Sequence, residues 1–188
     1  MTRELVEQSG SAFTITEVAK HAGVSRQAVY LHFGDRSGLL VALVDHIDQS
    51  LGSVKLRENV FGAPSGIEAL RRWVETMSWY TAKIDRVTEV LEASQYEDSD
   101  LAAAWRNRMN RRQDLLHYQI AERLEREGHL ADGWSARTAA EIIYVLTMPG
   151  PWRELTREVG WTHTQYSDHI WSLLKRGLLI ENIEGEEG

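Results

Sequence analysis

Apolar residues recur at helical spacing along almost the whole chain of 188 residues, and no stretch shows the alternation expected of a strand. With only three prolines, long helices are interrupted at few points. The segment after Gly66 shows the pattern most clearly, with an apolar stripe that comprises Ile67, Leu70, Val74, Met77 and Ile84. The sequence therefore predicts an all-α fold.

The charge is distributed unevenly along a chain that is long enough for two modest domains. The net charge is −7, yet residues 1–36 carry four basic and four acidic side chains, so the acidic excess lies downstream. This distribution favours a protein that contacts the phosphates of nucleic acid only through its amino-terminal part. A protein that binds nucleic acid indiscriminately usually has a basic surface. The absence of cysteine excludes disulfides and thiolate metal sites. No apolar run approaches the ~20 residues of a membrane span, so we expect a cytoplasmic protein.

Caps and breakers predict helices over residues 2–8, 14–22, 26–33 and 36–51 in the first part of the chain. The glycine-rich, polar segment 51–66 predicts a linker and divides the chain into domains of residues 1–52 and 53–188. Further helices are predicted over residues 67–84, 86–93, 99–127, 135–148 and 164–179, with a helical turn or two at 152–160. The acidic tail from residue 181 is predicted to be disordered.

Two short helices joined by a tight turn are predicted between residues 14 and 33. Thr14 and Glu17 have the spacing of a capping box at the start of the first helix. Gly23 suits the left-handed conformation of a turn, and Ser25 can cap the second helix. Two ordinary helices could share such a spacing, but the combination of caps, turn and core positions favours a helix-turn-helix motif.

The second of these helices has the features of a DNA-reading element. Val29 and Phe33 are predicted to be buried, and a helix-turn-helix places the amino-terminal part of this helix against base edges. Arginine and glutamine there can each make paired hydrogen bonds, to guanine and adenine respectively. We expect DNA contacts from Thr14, Thr16, Ser25, Arg26, Gln27, Ala28, Tyr30, His32 and Arg36.

Residues 15–40, from Ile15 to Leu40, closely resemble the tetracycline-repressor (TetR/AcrR) family, whose pattern I-A-x-x-A-G-V-S-x-x-x-L-Y-x-H-F is followed by a polar, basic turn and leucines. The match is specific over residues 13–45 and only architectural beyond them. The resemblance implies a three-helix helix-turn-helix DNA-binding domain, followed by a helical ligand-binding and dimerisation domain. It also implies a homodimeric repressor that binds a near-palindromic operator and is released by a small ligand. The family's first helix is usually about twice as long as the segment before Ser9.

Aromatic and methionine side chains are frequent in the later helices. They are either plain core or the lining of a flexible pocket for an apolar or aromatic effector, and no cofactor is implied. The candidate ligand-binding residues are Trp73, Met77, Tyr80, Tyr96, Trp105, Met109, Tyr144 and Met148.

Two further patterns leave alternatives open. Four arginines, at 106, 108, 111 and 112, form either a solvated helix face or a site that pairs with an anionic ligand or with acidic segments of the chain. The last two long helices carry more apolar surface than one small bundle needs. This surface either packs internally or pairs with a second subunit as a four-helix interface.

Motifs of catalysis are missing from the sequence. There is no HExxH spacing, phosphate-binding loop or dinucleotide fingerprint, and no histidine–aspartate pair has a placed nucleophile. We therefore expect no enzyme. The remaining alternative is a helical small-molecule or protein-interaction module with impaired DNA binding, because the first predicted helix is short and the body is acidic.

Overall fold

The computed structural model describes Glu4, residues 13–96 and residues 98–180. The predicted helix over residues 2–8, apart from Glu4, and the predicted disordered tail lie outside the described residues. The chain packs into two compact units: Met1–Val54 with Lys83–Asn110, and Lys55–Ala82 with Arg111–Gly188. The predicted domain boundary after residue 52 stays a prediction.

The described residues confirm the all-α fold, and they contain no strand beyond one isolated bridge between Leu130 and Leu179. The helices, in chain order, are α1 (Ile15–Ala22), α2 (Arg26–Phe33), α3 (Arg36–Ser50), α4 (Ser53–Phe61), α5 (Gly66–Ser94), α6 (Ser99–Leu116), α7 (Glu122–Arg126), α8 (Ala136–Leu146), α9 (Pro149–Arg153) and α10 (His163–Leu178).

The predicted linker over residues 51–66 is wrong over most of its length, because α4 occupies Ser53–Phe61. Its glycines lie outside this helix, where Gly52 adopts a left-handed φ of 68°. Val60 of α4 is buried in the core of the second unit. The glycines therefore bound a helix instead of marking a flexible connection.

The separate helices predicted over residues 67–84 and 86–93 are also wrong, because α5 is continuous from Gly66 to Ser94. No glycine or proline separates the two predicted helices, and Asp85 between them is itself buried. Apolar burial continues past them at Val87, Val90 and Leu91.

The predicted long helix over residues 99–127 is divided into α6, a π-helical turn at His117–Ala121, and α7. Pro149 lies beyond the end of α8, as predicted, and it is the first residue of α9. Proline fits there because the first turn of a helix needs no intrahelical N–H donor. A second π-helical turn, Glu154–Glu158, follows α9.

The second unit has a large apolar core. Its fully buried members include Leu70, Ile120, Leu124, Ile143 and Leu174. Among the described residues no helix combines the length and apolar character needed to cross a bilayer.

Candidate DNA-binding surface

Local hydrogen bonds define the two helices and their turn. The Thr14 hydroxyl accepts from the Glu17 amide at 3.2 Å, and the Thr14 amide donates to the Glu17 carboxylate at 2.8 Å. Gly23 has a φ of 68°, and a Cβ there would meet no atom within 4 Å, so conformation and not space requires glycine. The Ser25 hydroxyl accepts from the Ala28 amide at 3.0 Å and so caps α2.

The outer face of α2 is open to solvent. Val29 is buried on the inner side of α2, and Phe33, four residues later, is partly buried. The predicted contact residues Arg26, Gln27 and Ala28 are exposed. The other predicted contacts Thr14, Thr16, Ser25, Tyr30 and His32 are exposed as well. This exposed face can approach a duplex without any rearrangement of the helix.

Two members of this set form an ordered pair along one side of α2. The Arg26 guanidinium donates to the Tyr30 hydroxyl at 3.2 Å, and its central carbon lies 5.3 Å from the centre of the Tyr30 ring. One helical turn separates them, as expected for an i, i+4 contact. Tyr30 therefore orients the charge of Arg26 before any DNA is bound.

Helix α3 begins against the end of α2. The Asp35 carboxylate accepts from the Gly38 amide at 2.8 Å and caps α3. Gly38 leaves no room for a side chain, because a Cβ would clash with the carbonyl oxygen of Phe33. Arg36, a predicted phosphate contact, is partly buried with its guanidinium 4.6 Å from the ring centre of Phe13.

Two polar contacts hold α3 within the first unit. The Ser37 hydroxyl donates to Asp98 at 2.5 Å, and Arg108 forms a paired salt bridge with Asp48 at 2.7 and 3.1 Å. The Ser37 hydroxyl, followed by the Leu101 amide, holds the pKa of Asp98 below its usual range. Of the alternatives for the arginine cluster, a solvated face or a paired site, Arg108 therefore follows the second, because it pairs with an acidic residue of the chain.

The predicted ligand-binding residues are distributed over both units. Trp73, Met77, Tyr80, Tyr144 and Met148 belong to the second unit, whereas Tyr96, Trp105 and Met109 belong to the first. Tyr96 is 86% exposed, and Trp105 and Met109 are buried. Their role in ligand binding stays a prediction.

A buried polar cluster surrounds Arg112 in the second unit. Its guanidinium lies 5.6 Å from the ring centre of Trp73 and donates to the carbonyl of Thr147. The Trp73 indole donates to the Thr147 hydroxyl at 3.2 Å, and the Tyr166 hydroxyl donates to the Leu146 carbonyl at 2.7 Å. Burial raises the pKa of Tyr166 to about 12, while the charge of Arg112 opposes this.

One exposed residue of α2 was missed by the sequence reasoning. Leu31 is 82% exposed, although leucine is usually assigned to a core. It lies two residues from both Val29 and Phe33, which puts it on the opposite side of a helix with 3.6 residues per turn. That spacing was available in the sequence.

Two short helices at a left-handed glycine turn, with an open face on the second, define a helix-turn-helix DNA-binding regulator. Residues 2–43 match the family model described as bacterial regulatory proteins of the tetR family. Over these residues the chain is similar to the DNA-binding domain of that family.

A curated repressor is also similar to the chain. The chain is 26% identical to the HTH-type transcriptional repressor BepR of Brucella suis biovar 1 (strain 1330) over 147 residues, 75% of this chain and 70% of BepR.

Two solved structures share its fold at low identity. NalD, the secondary repressor of the MexAB-OprM multidrug efflux pump in Pseudomonas aeruginosa, is 19% identical with a TM-score of 0.70, covering 96% of this chain and 92% of NalD. SmeT of Stenotrophomonas maltophilia, in complex with triclosan, is 15% identical with a TM-score of 0.75, covering 98% of this chain and 90% of SmeT.

Proposed function

We propose that this regulator is a ligand-responsive homodimeric repressor that binds a near-palindromic operator through α2. The observation that carries the proposal is the open outer face of α2 beside a fully formed turn. Gln27 can pair with adenine and Arg26 with guanine, while Tyr30 and the hydroxyls of Thr14 and Ser25 are suited to phosphates. Thr16, Ala28, His32 and Arg36 complete the proposed contact set.

A second copy of the chain would pair through α8 and α10. Each helix keeps a large apolar side chain in solvent, Val145 at 48% and Leu173 at 56% exposure. Two copies of these helices would form a four-helix interface with twofold symmetry. The need for two reading helices supports this dimer, since half-sites lie about 34–36 Å apart on DNA.

The effector is proposed to be apolar or aromatic and to bind in the second unit among Trp73, Met77, Tyr80, Tyr144 and Met148. The similar repressor SmeT forms a complex with triclosan, which supports a small-molecule effector. Effector binding would shift the population of the dimer toward a state whose reading helices are wrongly spaced for DNA.

Selection of bound fragments from a random DNA pool tests the proposal. We expect an inverted repeat whose half-site centres are about 10–10.5 base pairs apart, or a multiple of that spacing, with affinity that falls steeply as salt increases. Gln27→Ala should relax the preference at one position in each half-site, whereas His46→Ala, an exposed change outside the motif, should not.

Failure to enrich any sequence would contradict the proposal. Small-molecule or partner binding without enrichment would favour the helical interaction module with impaired DNA binding.

A further inference from the structure

One outward-facing position of α2 carries a large apolar side chain, Leu31. At about 100° per residue, Leu31 lies about 160–200° around the helix from Val29 and Phe33, which face the core. Its 82% exposure agrees with this position. Gln27, one turn earlier, and Ala28 lie on either side of it. Leu31 is therefore near the middle of the exposed face around the helix axis, one turn beyond the amino-terminal residues that a helix-turn-helix places against base edges.

We propose that Leu31 reads the C5-methyl group of a thymine in each half-site. Leucine offers no donor or acceptor, so methyl groups are the feature of the major-groove floor that it can distinguish. Contact between the Leu31 side chain and the thymine methyl group would remove both from water, whereas Leu31 is exposed in the free protein.

The position of Leu31 also predicts where this thymine lies. Gln27 and Leu31 are one helical turn apart, about 5.4 Å along the axis, and successive bases of a strand are about 3.4 Å apart. The thymine should therefore lie within about two base pairs of the base that Gln27 reads. Leu31 would thus make a specificity contact beside the polar contacts of Gln27 and Arg26.

Replacement of each operator thymine by deoxyuridine tests this contact, because it removes one methyl group and leaves base pairing unchanged. The full-length wild-type protein should bind about fourfold more weakly when the critical thymine of one half-site is replaced, from the transfer free energy of one such group. Leu31→Ala should bind the thymine operator at least about 16-fold more weakly, because the homodimer loses the fourfold contact in both half-sites. It should not distinguish thymine from uracil at that position.

Two controls separate this contact from general effects. Val54→Ala removes another exposed apolar side chain, 58% exposed and outside the helix-turn-helix, and should keep the wild-type thymine preference. Leu31→Ala should unfold at the wild-type urea concentration, because the side chain is not part of the core.

The proposal is overturned if no thymine is sensitive to uracil in the wild type, or if Leu31→Ala keeps the same sensitivity. Enrichment of a defined operator with either result would leave the proposed function intact. Failure to enrich any operator would overturn both.

Discussion

Helices α2 and α10 distribute their side chains in opposite ways. Helix α2 buries Val29 and leaves Leu31 in solvent, whereas α10 buries Tyr166, Ile170, Leu174 and Leu178. Each buried large side chain contributes about 1.5–3 kcal/mol relative to exposure. The fold therefore depends on the side chains of α10 much more than on the outer side chains of α2.

The contrast indicates that packing restricts the sequence of α10 and that DNA contact is compatible with the outer side chains of α2. Packing restricts α10, because its buried positions lie in a close-packed core. On α2 the inward-facing side chains are Val29, which is buried, and Phe33, which is partly buried, so the outer positions are available for DNA. Substitutions on the outer face of α2 should alter DNA binding at constant stability, and substitutions at the inner face of α10 should alter stability first.

The largest expected effect tests how α2 is held in place. Gly38→Ala should lower the free energy of unfolding by about 3 kcal/mol, because the new methyl group would overlap the Phe33 carbonyl at the end of α2. The same substitution in α10, Gly177→Ala, meets nothing within 4 Å and should be neutral or stabilising by up to about 1 kcal/mol. Urea unfolding measures both, and equal midpoints for the two variants would refute the close approach at Gly38.

The next effect concerns the interior beside α10. Arg112→Ala should cost about 2 kcal/mol, because it removes the donor to the Thr147 carbonyl and the contact with Trp73. The preceding arginine is the matched control, since Arg111 is exposed and Arg111→Ala should change stability by less than about 0.5 kcal/mol. Equal losses in thermal or urea unfolding would contradict an interior role for Arg112.

The capping residues and the arginine cluster differ in how far their contacts can be predicted from the sequence. The caps at Thr14 and Ser25 and the turn at Gly23 were predicted correctly, because their partners lie within three residues. Arg108 could not be assigned in this way, because its partner Asp48 lies 60 residues earlier in the chain. Arg112 depends on Thr147, 35 residues away, so the spacing of the arginines carries no information about this contact.

The same limit explains the helix errors. The glycines around α4 resembled those of a linker. Val60 of α4 packs in a core whose other members lie mostly far from it in the sequence, so the local pattern did not predict this helix. Leu31 is different, because its position opposite Val29 follows from helix geometry alone. The sequence reasoning missed it because leucine was not considered as a DNA contact.

The third effect is a dependence of the free energy of unfolding on pH, caused by Tyr166 of α10. Burial raises the pKa of this tyrosine from 10 to about 12, so the folded state keeps its proton where the unfolded state loses it. The stabilising contribution is complete below pH 10 and is lost as the pH rises toward 12. By pH 11 the loss should be roughly 1.4 kcal/mol relative to pH 9. Urea unfolding at both values should show this difference in the wild type and a smaller one in Tyr166→Phe, in which burial still raises the pKa of Tyr144.

The smallest expected effect compares one substitution on both helices. Tyr30→Phe removes the acceptor of the Arg26 guanidinium and should weaken operator binding about threefold, at the low end for a hydrogen bond because the pair is exposed. Its unfolding midpoint should not change. Tyr166→Phe loses the bond to the Leu146 carbonyl and should lower stability by about 1 kcal/mol, with operator affinity unchanged at pH 7. If Tyr30→Phe also lowered stability, α2 would contribute to folding through its outer face, and the contrast with α10 would fail.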